Sequence, residues 1–391
     1  MRATNTMENM SIIDLPDDVL LAIFTHCDYK TLLIIAQVCK AFHRLASQDV
    51  LWRPISKRCL NITAKHGSTY SWKDCCKISF KWVQGKFHEI TMIKFQNKLL
   101  PWLQYNSTCL YLSHENCIQI YNPNRKQKRL AKPIATIACG EHDVTRFIVK
   151  DNLLVSGSKD QVTAWNIKGR SHCKLMTFVG HTKPVYCVEM LGDVVLSGSR
   201  DRSIKIWSLY LGKCLTTISI GDPVRSLAAN SFDGRFVAGS AGYLPKNSAL
   251  RLYDCESGHQ LSELICDSSG RRGAGVLDMK FESPNILLSG GYDTAVRLWD
   301  MRLGKSCCVK KWEDPHDSAV YCLESDKKWM ILSGTYRYGV VRLWDKRMDR
   351  CVKYYHASRH TTSSVYSLKF NNTKLFVALD DRLNNLNFDL N

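Results

Sequence analysis

A chain of 391 residues, 45% hydrophobic and 23% charged without a low-complexity tract, can bury one large core and one small one, which excludes a disordered or fibrous protein. Its net charge of +18 is uneven, −1 over residues 1–56, +7 over 57–100 and +12 over 101–391, so an anionic partner is expected for the later part: acidic protein, nucleic acid or an anionic membrane. The first ten residues lack the apolar stretch of a secretory signal, no run of 18 apolar residues follows, and the 17 cysteines form no Cys-x-x-Cys pair; the expectation is a soluble intracellular protein, cytoplasmic or nuclear, with reduced thiols, no metal and no membrane.

Taken in chain order, residues 1–11 are polar and are expected to be a flexible N-terminus. Residues 12–56 then show the 3.6-residue periodicity of helices: Leu20, Ile23 and Phe24 share a face, followed by Leu32, Leu33, Ala36, Val38, Phe42 and Leu45. Pro16 with Asp17 and Asp18 makes a helix start. So small a module is expected to leave an apolar face over for a partner. The order Leu-Pro-Asp-Asp-x-x-Leu, then Leu-x-x-x-x-x-Val-Cys-Lys-x-Phe, then Leu-Trp-Arg resembles the F-box. That resemblance implies that Leu15, Pro16, Leu20, Ile23, Phe24, Leu32, Leu33, Val38 and Leu51 contact, or support contact with, a Skp-type adaptor that bridges to a cullin.

Residues 57–85 read as a basic helical linker. Trp72, Ile78, Phe80 and Trp82 are too apolar for a solvated tether and are expected to pack against the base of the domain that follows.

From residue 86 to 391 one phrase recurs: small residues, a turn, alternating apolar residues and an aromatic-polar pair. Its clear copies are LLVSGSKDQVTAWN (153–166), VVLSGSRDRSIKIWS (194–208), ILLSGGYDTAVRLWD (286–300) and ILSGTYRYGVVRLWD (331–345), with degenerate copies at 109–122, 236–254 and 375–389. The closing aromatics Tyr121, Trp165, Trp207, Tyr253, Trp299, Trp344 and Phe388 lie 42 to 46 residues apart. Short period-two strands at that spacing, joined by Gly, Asp or Asn turns, predict a seven-bladed β-propeller. The strand-like segment 86–95 is expected to share the last blade with the chain end and so close the ring.

This region resembles the WD-repeat family, whose blades can carry a buried His-Ser-Asp-Trp network. Two sets of those residues are present: His142, Ser156, Asp160 and Trp165, and His181, Ser197, Asp201 and Trp207. A buried hydroxyl and indole N–H must find acceptors, which a bridging histidine allows. A hydrolase triad is rejected, because the set recurs in register and no Gly-x-Ser-x-Gly elbow is present. Gly221-Asp222, Gly273-Ala274 and Tyr336 to Gly339 depart from the pattern, and those blades are expected to rely on apolar packing.

Repeat register places a set of residues on one face of the ring: Lys159, Arg200 and Tyr292 before the third-strand turns, then Thr145, Tyr186, Arg225, Leu277, Tyr321 and Tyr366 after the valine of each first strand. Arg271, Arg272, Arg337 and His360 join them on longer loops. Lys159, Tyr186, Arg200, Arg225, Arg271, Arg272, Tyr292, Tyr321, Arg337 and Tyr366 are the expected substrate-binding residues, arginine for its planar fork and tyrosine as a low-entropy wall.

The chain as a whole is thus identified as a member of the F-box and WD-repeat proteins, mainly β with a small α module, and its second half looks like the dactylin branch. The resemblance implies a non-catalytic substrate-recognition subunit of a Skp-cullin-F-box ubiquitin ligase, joined through the adaptor to cullin and RING subunits, which binds target proteins for ubiquitination and proteasomal degradation. Receptors of phosphorylated degrons carry arginines at places that Arg200 and Arg225 match, whereas Tyr186 stands where a third can occur, which leaves phosphate recognition open. A basic scaffold that binds RNA, or that assembles proteins without degrading them, is the alternative. Gly212-Lys213-Cys214 and Gly304-Lys305-Ser306 lack the upstream glycine of a phosphate loop, and no catalytic residue, cofactor or metal site is expected.

Overall fold

The computed structural model describes residues 12–62, 70–124, 131–169, 172–244, 248–265, 274–313, 318–358 and 363–389. The expected flexible N-terminus and the candidates Arg271, Arg272 and His360 lie outside them. Two compact units are present, Met1–Gln84 with Asp389–Asn391, and Gly85–Phe388.

In the first unit a 3-10 turn, Ile12–Asp14, leads into α1 (Asp17–Thr25), α2 (Tyr29–Ile35), α3 (Lys40–Leu45), α4 (Asp49–Ser56) and α5 (Trp72–Gln84). Starts are marked locally: the Asp28 carboxylate accepts from the Thr31 amide at 2.8 Å to cap α2, and Cys39 caps α3 through Phe42. Leu20, Phe24, Leu32, Phe42, Leu45, Leu51 and Trp52 form one core, with Phe24 edge-on to Phe42 at 5.4 Å. The fifth helix completes that core. Cys76, Trp72 and Phe80 join it, and Phe80 stacks on Tyr29 at 3.6 Å. Trp72 and Phe80 thus give apolar cover to the helical module itself.

The second unit is a ring of seven four-stranded antiparallel sheets. Blades 1 to 6 span residues 103–138, 146–179, 185–219, 224–263, 276–313 and 320–356, each with its first strand innermost. Blade 7 takes its three inner strands from the chain end, while His88–Lys94 pairs as its outer strand with Arg382–Asn387. Segment 86–95 thus closes the ring.

The recurring Ser-Gly phrase has a packing cause. A Cβ on Gly157 would lie 2.9 Å from Val185 of the next blade, and one on Gly290 would lie 2.6 Å from Val320. Blades 2 to 6 keep a bare backbone where the next blade's first valine rests, and adjoining blades share apolar clusters, such as Leu196, Ile204 and Ile206 with Val224, Leu227 and Phe236. That valine immediately precedes the residue that reaches the ring's mouth.

Candidate binding sites

Burial sorts the nine expected residues of the helical module into three groups. Leu20, Phe24, Leu32 and Leu51 are buried in the core, so they can only support a contact from beneath. Leu15 and Leu33 are half-buried, while Pro16, Ile23 and Val38 face solvent. The shared face read for Leu20, Ile23 and Phe24 is therefore split: the first and last, four apart, point inward, and Ile23 pairs instead with Val19 on an exposed stripe of α1. Ile12, Ile13 and Ile34 are exposed as well, the last at 65%. These three were not singled out from sequence, because periodicity alone cannot say which edge of an apolar stripe is covered.

On the propeller the first strands carry a bulge at matching positions. Pairing runs Val185 to Ser199 and then Cys187 to Gly198, leaving Tyr186 unpaired; the same skip falls at Arg225, Leu277 and Tyr321. A bulge re-aims its extra residue. Those four side chains, with Thr145, Tyr366 and Tyr292, line a pocket of about 270 Å³ at the mouth. Tyr292 is held there by its amide bond to the Gly275 carbonyl at 2.9 Å.

The walls are aromatic. Tyr321 lies 5.8 Å from Tyr366 and 5.1 Å from Tyr336, tilted in both cases. Burial pushes the Tyr321 hydroxyl above the usual tyrosine range and does the same for Tyr366, so both remain donors at neutral pH. The Arg225 guanidinium stacks on Tyr186 at 4.4 Å.

Four lining residues were missed by sequence reading: Leu100, Pro101, Trp102 and Arg146. Arg146 stacks on Trp102 at 4.1 Å and reaches across the ring to donate to the Leu277 carbonyl at 2.8 Å. The Trp102 indole donates to the Phe147 carbonyl at 3.1 Å. No repeat phrase precedes Trp102, and Arg146 lies one place beyond the register position. Lys159, Arg200 and Arg337 are exposed on the rim and do not line the pocket.

Beneath Trp102 and Arg146 a second cavity of about 300 Å³ continues down the ring axis. Its charges are largely compensated: Lys280 and Lys369 both bond the same oxygen of Glu324, and Asp278 accepts from the Leu323 amide. Burial pushes the Glu189 carboxyl up to about 7.

The two networks differ. In blade 3, His181 bridges Asp201 and Ser197 at 2.7 Å each, and the Trp207 indole donates to Ser197 at 2.8 Å. A carboxylate only accepts, so the proton sits on Nδ1. Ser197 is fully buried and occupied on both sides, which leaves no path for a substrate. In blade 2, Trp165 donates to Ser156 at 3.3 Å, but His142 is exposed, and the half-buried Cys139 thiol donates to the Ile137 carbonyl at 3.6 Å. The four-residue set expected there is therefore incomplete. Trp299 and Trp344 keep the indole-to-serine bond, to Ser289 and Ser333, so blades 5 and 6, expected to rely more on apolar packing, retain a polar anchor as well.

Burial holds the His181 imidazole below its ordinary value, although Asp201 pulls the other way. As pH falls through about 6.5, the unfolded chain takes the proton first, so the stability from neutral His181 is present above that pH and declines below it. Melting is expected to drop between pH 7.5 and 5.5 by more in the wild type than in His181→Asn, by at most about 1.4 kcal/mol per pH unit. Equal drops in a calorimeter would count against a buried neutral imidazole.

Among the described residues no group of three His, Cys, Asp or Glu side chains could hold a metal, and no helix is long and apolar enough to cross a membrane.

The F-box-like family model matches residues 12–58, and the model for the WD domain, G-beta repeat, matches 172–208 and 264–300. F-box/WD repeat-containing protein 4 of Mus musculus and that of Homo sapiens are each 36% identical over 387 residues, spanning 96% of this chain and 92% of theirs. COMPASS component SWD3 of Saccharomyces cerevisiae is 33% identical over 150 residues, 37% of this chain and 46% of its own. Among solved structures, the WD40 β-propeller domain of Doa1 aligns with a TM-score of 0.60 at 18% identity, covering 76% of this chain and 95% of that one, a likeness of fold.

Proposed function

The chain belongs to the F-box and WD-repeat family, and from that premise we propose that it is a substrate receptor of a Skp-cullin-F-box ubiquitin ligase. The helical module docks on a Skp-type adaptor, which links to cullin and RING subunits, and the propeller mouth holds the protein to be ubiquitinated. In this reading the chain positions its target and supplies no catalytic group, the transfer chemistry belonging to the other subunits.

One observation carries the reading: an F-box-like module exposes Ile12, Ile13, Val19, Ile23, Ile34 and Val38 instead of burying them. So many apolar side chains on so small a fold mark a surface that another protein covers. Pro16, Ile23 and Val38 belong to the contact; Leu15 and Leu33 form its edge; Leu20, Phe24, Leu32 and Leu51 hold it from behind.

Replacing Ile34 and Val38 together by aspartate is expected to abolish capture of a Skp-type adaptor without unfolding the module, since both side chains already face water. Burial of two such residues is worth about 3–6 kcal/mol, a loss of a hundredfold or more in affinity. Unchanged capture, read by co-purification from cells and by calorimetry with purified adaptor, would remove the ligase assignment. Accumulation of specific proteins after deletion separates a degrading receptor from a scaffold, and steeply salt-dependent RNA binding by the propeller would favour the nucleic-acid alternative.

A further inference from the structure

We propose that the lower half of the propeller channel, which opens on the face opposite the mouth, binds a small zwitterion with an apolar body, a free α-amino acid. The site goes beyond the receptor reading and does not depend on it. Trp102 and Arg146 are all that the two cavities share as lining, so this pair forms a floor under the mouth and a roof over the second site. The lower cavity, about 300 Å³, is at the small end of the roughly 300–1,000 Å³ of small-molecule pockets. Exposed Lys327, in the turn after the first strand of blade 6, marks its outer end.

Its charges follow from the repeat. One register position on the innermost strands of blades 2 to 7 holds Ile148, Glu189, Ala228, Lys280, Glu324 and Lys369 in turn, and all six line the cavity. In a ring of seven, blade 3 stands as far as any blade can from blades 6 and 7, so Glu189 faces Glu324 and Lys369 across the axis. Blade 4 puts only the methyl of Ala228 between Glu189 and Lys280. Lys280 and Lys369 both bond one oxygen of Glu324, so two ammonium groups share one carboxylate and a positive charge is left over on that side. Each ammonium keeps further N–H groups to donate. Burial, with Lys280 beside it, holds the Lys369 ammonium below its ordinary range although Glu324 pulls the other way. Opposite, Glu189 accepts from the Met190 amide at 2.9 Å and has no ion pair among the described residues, Lys150 being spent on the Met190 carbonyl and Ser231. The other lining charges are answered: Glu282 by Lys346 at 2.6 Å, and Asp278 by the Leu323 amide and by Arg146 at 4.0 Å, while Lys327 faces water.

The cavity is therefore polarised, with a surplus cation on the side of blades 5 to 7 and a carboxyl without a counter-ion on blade 3. A ligand of one sign answers one side and worsens the other. An ammonium and a carboxylate on the same carbon answer both, and each arriving charge removes a desolvation cost already present in the wall. Phe147, Val188, Leu227, Met279 and Phe281 supply apolar surface for the side chain. A residue inside a peptide has neither group free, so the ligand is a free amino acid.

The test is calorimetric titration of the full-length chain, dialysed free of amino acids, with leucine, methionine and phenylalanine. Each is compared with its N-acetyl form, which keeps only the carboxylate, and with its amide, which keeps only the ammonium. At least one free amino acid should bind at least tenfold more tightly than both of its derivatives. Glu189→Gln should remove its advantage over the N-acetyl form, Lys369→Met its advantage over the amide, and Ala228→Leu, which fills the gap beside Glu189, should abolish binding. Thermal melting checks that each variant is folded, and the three ligand forms decide the matter on the wild-type chain even where a variant is not. A derivative that binds within tenfold of every free amino acid would overturn the site. So would an affinity that a folded Glu189→Gln variant leaves within tenfold, or no heat of binding from any of the three at about 10 mM, which puts Kd above the millimolar range.

Discussion

Replacing Trp52 by alanine is expected to unfold the helical module while leaving the propeller's melting transition in place. Trp52 is fully buried among Leu20, Phe24, Phe42, Leu45 and Leu51, and its indole donates to the Ala46 carbonyl at 2.7 Å. Removing a buried tryptophan costs about 3–5 kcal/mol. A module of this size holds only about 0.05–0.15 kcal/mol per residue, so the loss approaches its whole stability. Proteolysis between residues 12 and 84 and loss of the lower helical transition in circular dichroism would report it, with adaptor capture lost as a consequence. Two unchanged transitions would show that the module does not depend on this core. The contrast with Ile34→Asp and Val38→Asp is diagnostic: one change removes the fold, the others remove only the surface. A fragment ending at residue 58 should also be weak, because Cys76 and Phe80 of α5 complete the same core.

The propeller was legible because its chemistry repeats. Seven closing aromatics set the blade count, the Ser-Gly phrase marked where blades touch, and the strand segment at 86–95 had no partner other than the chain end. Register placed Tyr186, Arg225, Tyr321 and Tyr366 on one face, and all four line the pocket, the first three at a bulge that follows the same valine in their blades. What could not be read was whatever breaks the repeat. Blade 1 begins with a three-residue strand, Leu103–Tyr105, and no phrase flags Trp102. His142 matches the pattern in type and spacing but is exposed to solvent. In the helical module the periodicity was plain, yet the position of α5 decides which residues are core, and that packing is not encoded in the stripe itself. The net charge was the least informative clue: Arg235, Arg302 and Arg347 are paired with Asp233, Asp300 and Asp345, so they add nothing directed at the mouth.

Ring closure carries the largest effect of all. A fragment beginning at residue 86 is expected to fold and melt cooperatively, whereas one beginning at residue 96, where the repeats alone would set the boundary, is expected to aggregate. The difference is the outer strand of blade 7. His88–Lys94 pairs along Arg382–Asn387 and brings Met92 and Ile93 into a cluster with Leu103, Leu110, Phe376 and Leu383, and the next residue, Phe95, joins them while its amide donates to the Asp381 carbonyl at 2.8 Å. Phe87, just before the strand, packs against Phe388 at 5.4 Å and Tyr355 at 5.9 Å. Burial of three such side chains is worth about 5–9 kcal/mol. Each lost ladder bond adds about 0.5–1.5 kcal/mol. Together these match the 5–15 kcal/mol that holds a typical domain, so the shorter fragment has little stability left. It would also present Arg382–Asn387 as an unpaired edge, a template for association. Size-exclusion chromatography and differential scanning calorimetry distinguish the outcomes, and Ile93→Asp in the full-length chain tests the same contact without truncation. A monomeric 96–391 fragment melting at the temperature of 86–391 would show that the ring closes without this strand.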